Sequence, residues 1–209
     1  MSAIVLGVGP GLGLALAHAY AGAGHKVALV ARRPEQVREL SAQVGGEGLG
    51  LVADLADPHA VARVVQEAAE RLGAPDIVHY NASLLIEGTP TQIPLHAVEQ
   101  SWRVGCLGAW AALQAAAPLM SGGAAFFATG SGVALDPWPP GSALASAKAG
   151  LRNMMLAAAK DLPNIRVAMI TIMGVIGQTP ELSPDQIARG FLDLLEQSAP
   201  PVETFLPHR

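Results

Sequence analysis

Short apolar runs alternate along the chain with longer stretches of helical period. The runs cover residues 3–7, 26–31, 48–53, 77–80, 124–129, 166–171 and 202–206. Each has the length of a strand, and most are apolar throughout instead of alternating, as strands covered on both faces are. With helical segments filling the gaps, the pattern predicts an α/β fold, a doubly wound parallel sheet of about seven strands with helices on both faces. Local signals mark two helix starts. Asp57 stands before Pro58 as a cap, and Ser183-Pro184-Asp185-Gln186 has the form of a capping box with proline in the first turn. The alanine-rich stretches 109–117 and 145–159 carry Leu, Trp and Met at spacings that suit close helix packing.

Composition narrows the picture. A chain of 209 residues, 51% apolar, can bury one sizeable core and leaves little length for a second, so one domain over 1–209 is expected. The formal charge of -4, with no stripe of lysine or arginine, gives no field for nucleic acid. Cys106 is the single cysteine, which rules out an internal disulfide, and the six histidines lack zinc-site spacing. No metal and a reducing, cytoplasmic setting are expected. Two stretches lack charge, residues 1–25 and 104–135. The first is broken by Gly7, Gly9, Pro10, Gly11 and Gly13, and the second by Pro118, Ser121, Gly122 and Gly123, so neither reads as a membrane span.

Candidate chemistry begins at Gly7-Val8-Gly9-Pro10-Gly11-Leu12-Gly13, between the first predicted strand and the first helix. A glycine turn at a helix N-terminus presents backbone N–H groups and the positive end of the helix dipole to a diphosphate. The spacing that fits is G-x3-G-x-G over Gly7, Gly11 and Gly13; Leu12 occupies the third glycine of the commoner G-x-G-x-x-G. The second strand ends Ala31-Arg32-Arg33, where an NAD(H) site would place an acid for the ribose hydroxyls. Ala31 leaves room for a 2'-phosphate and either guanidinium can pair with it, which favours NADP(H) over NAD(H).

Gly7-x3-Gly11-x-Gly13, the Asp54-Leu55 pair after the third strand and Tyr80-Asn81-Ala82-Ser83 after the fourth resemble, together, the short-chain dehydrogenase/reductase family over nearly the whole chain. The resemblance implies a Rossmann-like sheet, a small-molecule substrate, and a dimer or tetramer packed through the helices near 107–120 and 144–156. It also implies that Asp54 contacts the adenine, and that Asn81 and Ala82 support the sheet and the adenosine side of the cofactor. Ser83 replaces the glycine of that turn. Residues by themselves leave Asp54 open as a loop residue and Asn81 as a turn former.

The same resemblance assigns catalytic positions. Lys148, in Ala145-Ser146-Ala147-Lys148, matches the family lysine, and Ser131, seventeen residues earlier, matches the serine. Leu144 occupies the tyrosine position, and the alternative slot seven residues before the lysine is Gly141. A phenol there would hand a proton to a forming alkoxide, and leucine cannot. The relay asparagine of the helix after the fourth strand is matched by Gly105. Gly174-Val175-Ile176 matches the turn over the nicotinamide, with Met173 in place of proline, and Gly174 and Val175 are cofactor candidates with the loop residues above, including Gly9 and Leu12. Little chain lies between Gly174 and Ser183, so an open pocket is expected, and the tail 203–209 lacks the family's common ending. Trp102, Trp110 and Trp138 read as packing, and His79 and His96 as structural or surface histidines. Two functions stay open: an NADP(H)-dependent oxidoreductase with a non-standard proton source, and a non-catalytic NADP(H)-binding sensor.

Overall fold

Strand β1 (Ser2–Leu6) is buried along its full length, because its residues serve two cores at once. Ile4 and Leu6 face one side of the sheet, and Ala3 and Val5 the other. In the computed structural model, which describes residues 1–207, the chain continues as α1 (Leu12–Gly22), β2 (Lys26–Ala31), α2 (Pro34–Val44), β3 (Gly48–Val52), α3 (Pro58–Leu72) and β4 (Ile77–Tyr80). Then follow α4 (Leu95–Trp102), a π-helical turn (Arg103–Leu107), α5 (Gly108–Ala116), β5 (Ala125–Ser131), α6 (Ser142–Asp161), β6 (Arg166–Ile172), α7 (Pro184–Glu196) and β7 (Glu203–Leu206). His208 and Arg209, the end of the tail noted above, lie outside the described residues.

All strand pairs are parallel, in the order β3-β2-β1-β4-β5-β6-β7. Residues of α3, α5 and α6 close one core, and residues of α1, α2 and α7 close the other. The winding reverses between β1 and β4, where open α/β sheets bind ligands beyond the carboxyl ends of their strands. Register decides what stands there. Leu6 lies opposite both Val30 and Tyr80, and Tyr80 opposite Ala128. The next residue of each strand, Gly7, Ala31, Asn81 and Thr129, therefore falls in one row at this edge.

Strand boundaries differ from the pattern by one or two residues. Strand β5 runs on to Ser131 and β6 to Ile172, because pairing continues through Gly130, whose lack of a side chain lets Thr171 approach; a Cβ there would sit 2.6 Å from Thr171 Oγ1. The helix expected at 109–117 is the last part of a longer rod that begins at Leu95 and includes the π turn. Gly105 and Gly108 sit where the rod is pressed against its neighbours, Gly105 against Ala147 and Gly108 against Tyr80 and Leu55. Asp57 Oδ1 caps α3 by accepting from His59 N, and Ser183 Oγ caps α7 by accepting from Gln186 N at 3.4 Å. Among the described residues no helix is long and apolar enough to cross a membrane.

The last strand is pinned by charge. Glu203, its side chain 8% exposed, accepts from Arg152 Nε at 2.9 Å, from Arg152 Nη2 at 2.6 Å and from Thr171 Oγ1 at 2.6 Å. Burial pushes the Glu203 carboxyl up, but the hydrogen bonds from Arg152 and Thr171 outweigh it and hold the group below its ordinary value. A carboxyl depressed in this way contributes stability that is present above its unfolded pKa of about 4.3 and is lost as pH falls through the folded value. Glu203→Gln is expected to cost about 1–3 kcal/mol at pH 7. Thermal unfolding across pH should show the gap between wild type and variant closing below about pH 4; a gap independent of pH would contradict this account.

Candidate active site and nucleotide cleft

The first turn of the site is shaped by what cannot fit in it. Gly7 has φ +95, and a Cβ there would lie 2.7 Å from the Ala82 backbone; one at Gly13 would lie 2.7 Å from Val8 Cα. These two glycines let β1, α1 and the end of β4 meet. Gly9 and Gly11 differ, since a Cβ at either would meet no protein atom within 4 Å. Their open side, at the N-terminus of α1, is a cradle that side chains would fill and that amide donors border. Leu12 turns its side chain into the core, so only its main chain is available to a ligand.

Next to this turn is a cleft of about 290 Å³ that brings together Gly7, Arg32, Arg33, Asp54 and Leu55, five of the residues singled out in sequence. Gln36, Ser83, Leu84 and Val104 also line it, and three of these, Gln36, Leu84 and Val104, carry no sequence signal. Arg32 and Arg33 are exposed, and Arg33 Nε donates to Gln36 Oε1. Asp54 Oδ1 accepts from Ala56 N at 3.0 Å. The cleft and the turn beside it have the groups to hold the adenosine and diphosphate of a dinucleotide. Gly174 and Val175 do not line this cleft; they lie exposed just beyond the end of β6.

Lys148 and Leu144 share a face of α6, one turn apart. Lys148 is buried and its Nζ donates to the Thr129 carbonyl at 2.8 Å, one strand residue from Gly130 and two from Ser131. Burial pulls its pKa down to about 8. Ser131 is half-buried at the end of β5. Gly105 lies in the π turn, and a Cβ on it would come within 2.9 Å of Ala147 Cβ, beside Lys148. A side chain as large as asparagine has no space there. Tyr80 offers no substitute phenol: it is buried, its hydroxyl donates to the Val104 carbonyl at 2.5 Å, and burial pushes its pKa well up.

Four apolar side chains stand exposed on the loops beyond the strands. Leu85 is 49% exposed, Trp138 47%, Val175 58% and Ile176 40%, all on loops that follow strand ends. A Cβ on Gly141 would be 2.7 Å from the Trp138 ring and 3.5 Å from Leu85, so both flank the first turn of α6, on which Leu144 sits. The three tryptophans are packed in part and exposed in part: the Trp102 ring lies against Gly150 with Nε1 3.3 Å from Ser146 Oγ, the Trp138 ring lies against Gly141, and each of the three remains 39–47% exposed. His96 is exposed, whereas His79 is fully buried, with Nδ1 2.8 Å from Tyr20 OH and Nε2 3.0 Å from Thr129 Oγ1. Two polar residues inside otherwise apolar strands, His79 and Thr129, are the signal that could have revealed this contact in sequence. Among the described residues no group of His, Cys, Asp and Glu could hold a metal ion.

Residues 1–184 match the family model described as short chain dehydrogenase. The chain belongs to this family. Solved short-chain dehydrogenases share its fold. A metagenomic short-chain oxidoreductase in complex with NADP is 25% identical, with a TM-score of 0.86 over 98% of this chain and 96% of its own. A short-chain dehydrogenase from Burkholderia cenocepacia in complex with NADP is 24% identical, with a TM-score of 0.89 over 98% and 95%. An NADPH-bound short-chain oxidoreductase from Pseudomonas aeruginosa, described as containing an atypical catalytic center, is 22% identical, with a TM-score of 0.86 over 98% and 95%. No protein of curated function matches the chain in sequence.

Lys148 is a buried group whose state can be measured directly. A lysine with a folded pKa of about 8, below an unfolded value of about 10.4, leaves the native state with fewer bound protons between those limits. Stability from this residue alone therefore rises with pH across that window. In NMR of the ¹³Cε-labelled protein, one lysine should titrate near pH 8 and vanish from the spectrum of Lys148→Met; titration of every lysine above pH 10 would contradict the burial.

Proposed function

We propose that this chain is an NADP(H)-dependent oxidoreductase whose substrate needs no proton from a tyrosine. What supports the reading is that Ser131, at the end of β5, and Lys148, on α6, match the family's serine and lysine, while Leu144, one turn before the lysine, matches its tyrosine. Gly7, Gly9, Gly11 and Gly13 with the amides of α1 would hold the diphosphate, and Arg32 and Arg33 the 2'-phosphate. Asp54 and Leu55 would border the adenine, while Asn81 and Ala82 support the loop. Gly174 and Val175 would lie against the nicotinamide, and Lys148 would hold its ribose. The bound cofactor supplies a hydride.

What remains for the protein is orientation, which contributes several kcal/mol on the order of 7–11 when reacting groups are well aligned. Ser131 can hydrogen-bond a substrate heteroatom, and Leu85, Trp138, Val175 and Ile176 offer an apolar body of substrate somewhere to lie. A carbonyl reduced to an alcohol needs a proton in the transition state. An iminium ion does not, and an activated conjugated alkene can take its proton from water. An apolar iminium or conjugated alkene is therefore the substrate class that suits this site. The same reading takes 1–209 as one domain in a reducing, cytoplasmic setting. It also builds a homodimer or homotetramer on α5 and α6, where Trp110, Gln114, Ala149 and Ala157 lie exposed.

Calorimetric titration should give micromolar binding of NADPH, weaker binding of NADH, and an NADPH affinity reduced about tenfold or more in Arg32→Ala, as expected for loss of a charge-assisted phosphate contact worth roughly 1.5–3 kcal/mol. Cyclic iminium and enone substrates should be turned over by the wild type, and simple ketones only by Leu144→Tyr. Binding of NADPH without turnover of any carbonyl, enone or imine would overturn the catalytic reading in favour of a dinucleotide sensor.

A further inference from the structure

A chain of buried polar groups runs from the core side of α1 to the glycine turn. Tyr20 OH lies 2.8 Å from His79 Nδ1, and His79 Nε2 lies 3.0 Å from Thr129 Oγ1. Thr129 Oγ1 lies 2.8 Å from Asn81 Oδ1, and Asn81 Nδ2 lies 2.9 Å from the Gly7 carbonyl. Tyr20 and His79 are fully buried and Thr129 is 5% exposed, so water does not compete for these partners at that end.

The direction of every bond follows from its far end. A carbonyl oxygen only accepts, so Asn81 must turn its NH₂ to Gly7 and its oxygen to Thr129. That oxygen also only accepts, so the single hydroxyl proton of Thr129 is committed to it. His79 Nε2 must then be the donor to Thr129, which leaves Nδ1 an acceptor and makes Tyr20 donate. One tautomer of one neutral imidazole satisfies all five groups. Burial, and secondarily the charge of Lys148, pull the His79 pKa down to about 3, in keeping with a ring that must stay neutral.

Thr129 is the node of this chain, since its hydroxyl reaches Asn81 and its carbonyl accepts from Lys148 Nζ. We infer that His79, Thr129 and Tyr20 are positioning residues for the nucleotide site: their one-way hydrogen bonds orient the Asn81 amide, which holds the Gly7 carbonyl and with it the turn that receives the diphosphate. This rests on the reading of that turn as the NADP(H) site. His79 and Tyr20 touch no ligand; they act through Thr129 and Asn81. Loss of the Thr129 hydroxyl leaves both His79 Nε2 and Asn81 Oδ1 unpaired and frees the amide to rotate away from Gly7.

The test compares NADPH affinity with thermal stability in Thr129→Val, Thr129→Ser and Phe191→Leu. Phe191 packs against the His79 ring at 4.3 Å between centroids but makes no bond in the chain, so its variant reports loss of core packing alone. Thr129→Val should weaken NADPH binding about tenfold or more, as expected for one buried hydrogen-bond partner lost. Thr129→Ser should restore it to within about threefold of wild type, and Phe191→Leu should unfold at lower temperature with affinity kept. ¹⁵N NMR of the ligand-free protein should show His79 neutral with the proton on Nε2. Equal affinity in wild type and Thr129→Val, equal loss in Phe191→Leu, or a proton on Nδ1 would overturn the inference alone. A wild type that binds no NADPH, with the tautomer as stated, would overturn the cofactor reading.

Discussion

The end of β1 meets the end of β4 with no room for a side chain between them. At Gly7 the backbone lies against Ala82, and at Gly13 the first turn of α1 lies against Val8. Because the strands are in register, this contact lines up Gly7, Ala31, Asn81 and Thr129 along one edge. Everything the site does depends on that row. The turn opens its amides outward only because its other side is closed by packing, and the 290 Å³ cleft beside it is the space left where the winding of the sheet reverses.

A second close contact shapes the reactive side. The π turn puts Gly105 against Ala147, and Cys106 lies under Gly150, where a Cβ would be 2.9 Å from its sulfur. Helix α6 is thus held tightly against the rod of α4 and α5 at the level of Lys148. The same closeness leaves no volume for a polar side chain at position 105. Leu144 and the close approach at Gly105 are therefore parts of one local arrangement, in which Lys148 stands among apolar neighbours and is buried. Burial lowers the Lys148 pKa for the same reason.

In an environment of this kind an unpaired polar group costs more than in water, and a fully paired chain becomes specific. Tyr20, His79, Thr129 and Asn81 satisfy one another in a single arrangement of protons. The bond from Lys148 to the Thr129 carbonyl ties the other half of the site to the same strand residue. Leu85, Trp138, Val175 and Ile176, by contrast, are apolar side chains left exposed on loops beyond the strand ends.

Sequence alone determined what depends on neighbours along the chain: the apolar runs that become two-sided strands, the caps at Asp57 and Ser183, the glycine spacing, the pair Arg32 and Arg33, and the leucine one helical turn before Lys148. Each is written within a few residues, where backbone geometry and side-chain chemistry act locally. Tertiary structure decided the register that sets Thr129 beside Asn81, the π turn that brings Gly105 to α6, the exposure of the tryptophans and the direction of the buried hydrogen bonds. Those partners are 59, 50, 48 and 74 residues apart, and only the packed sheet brings them within reach of one another.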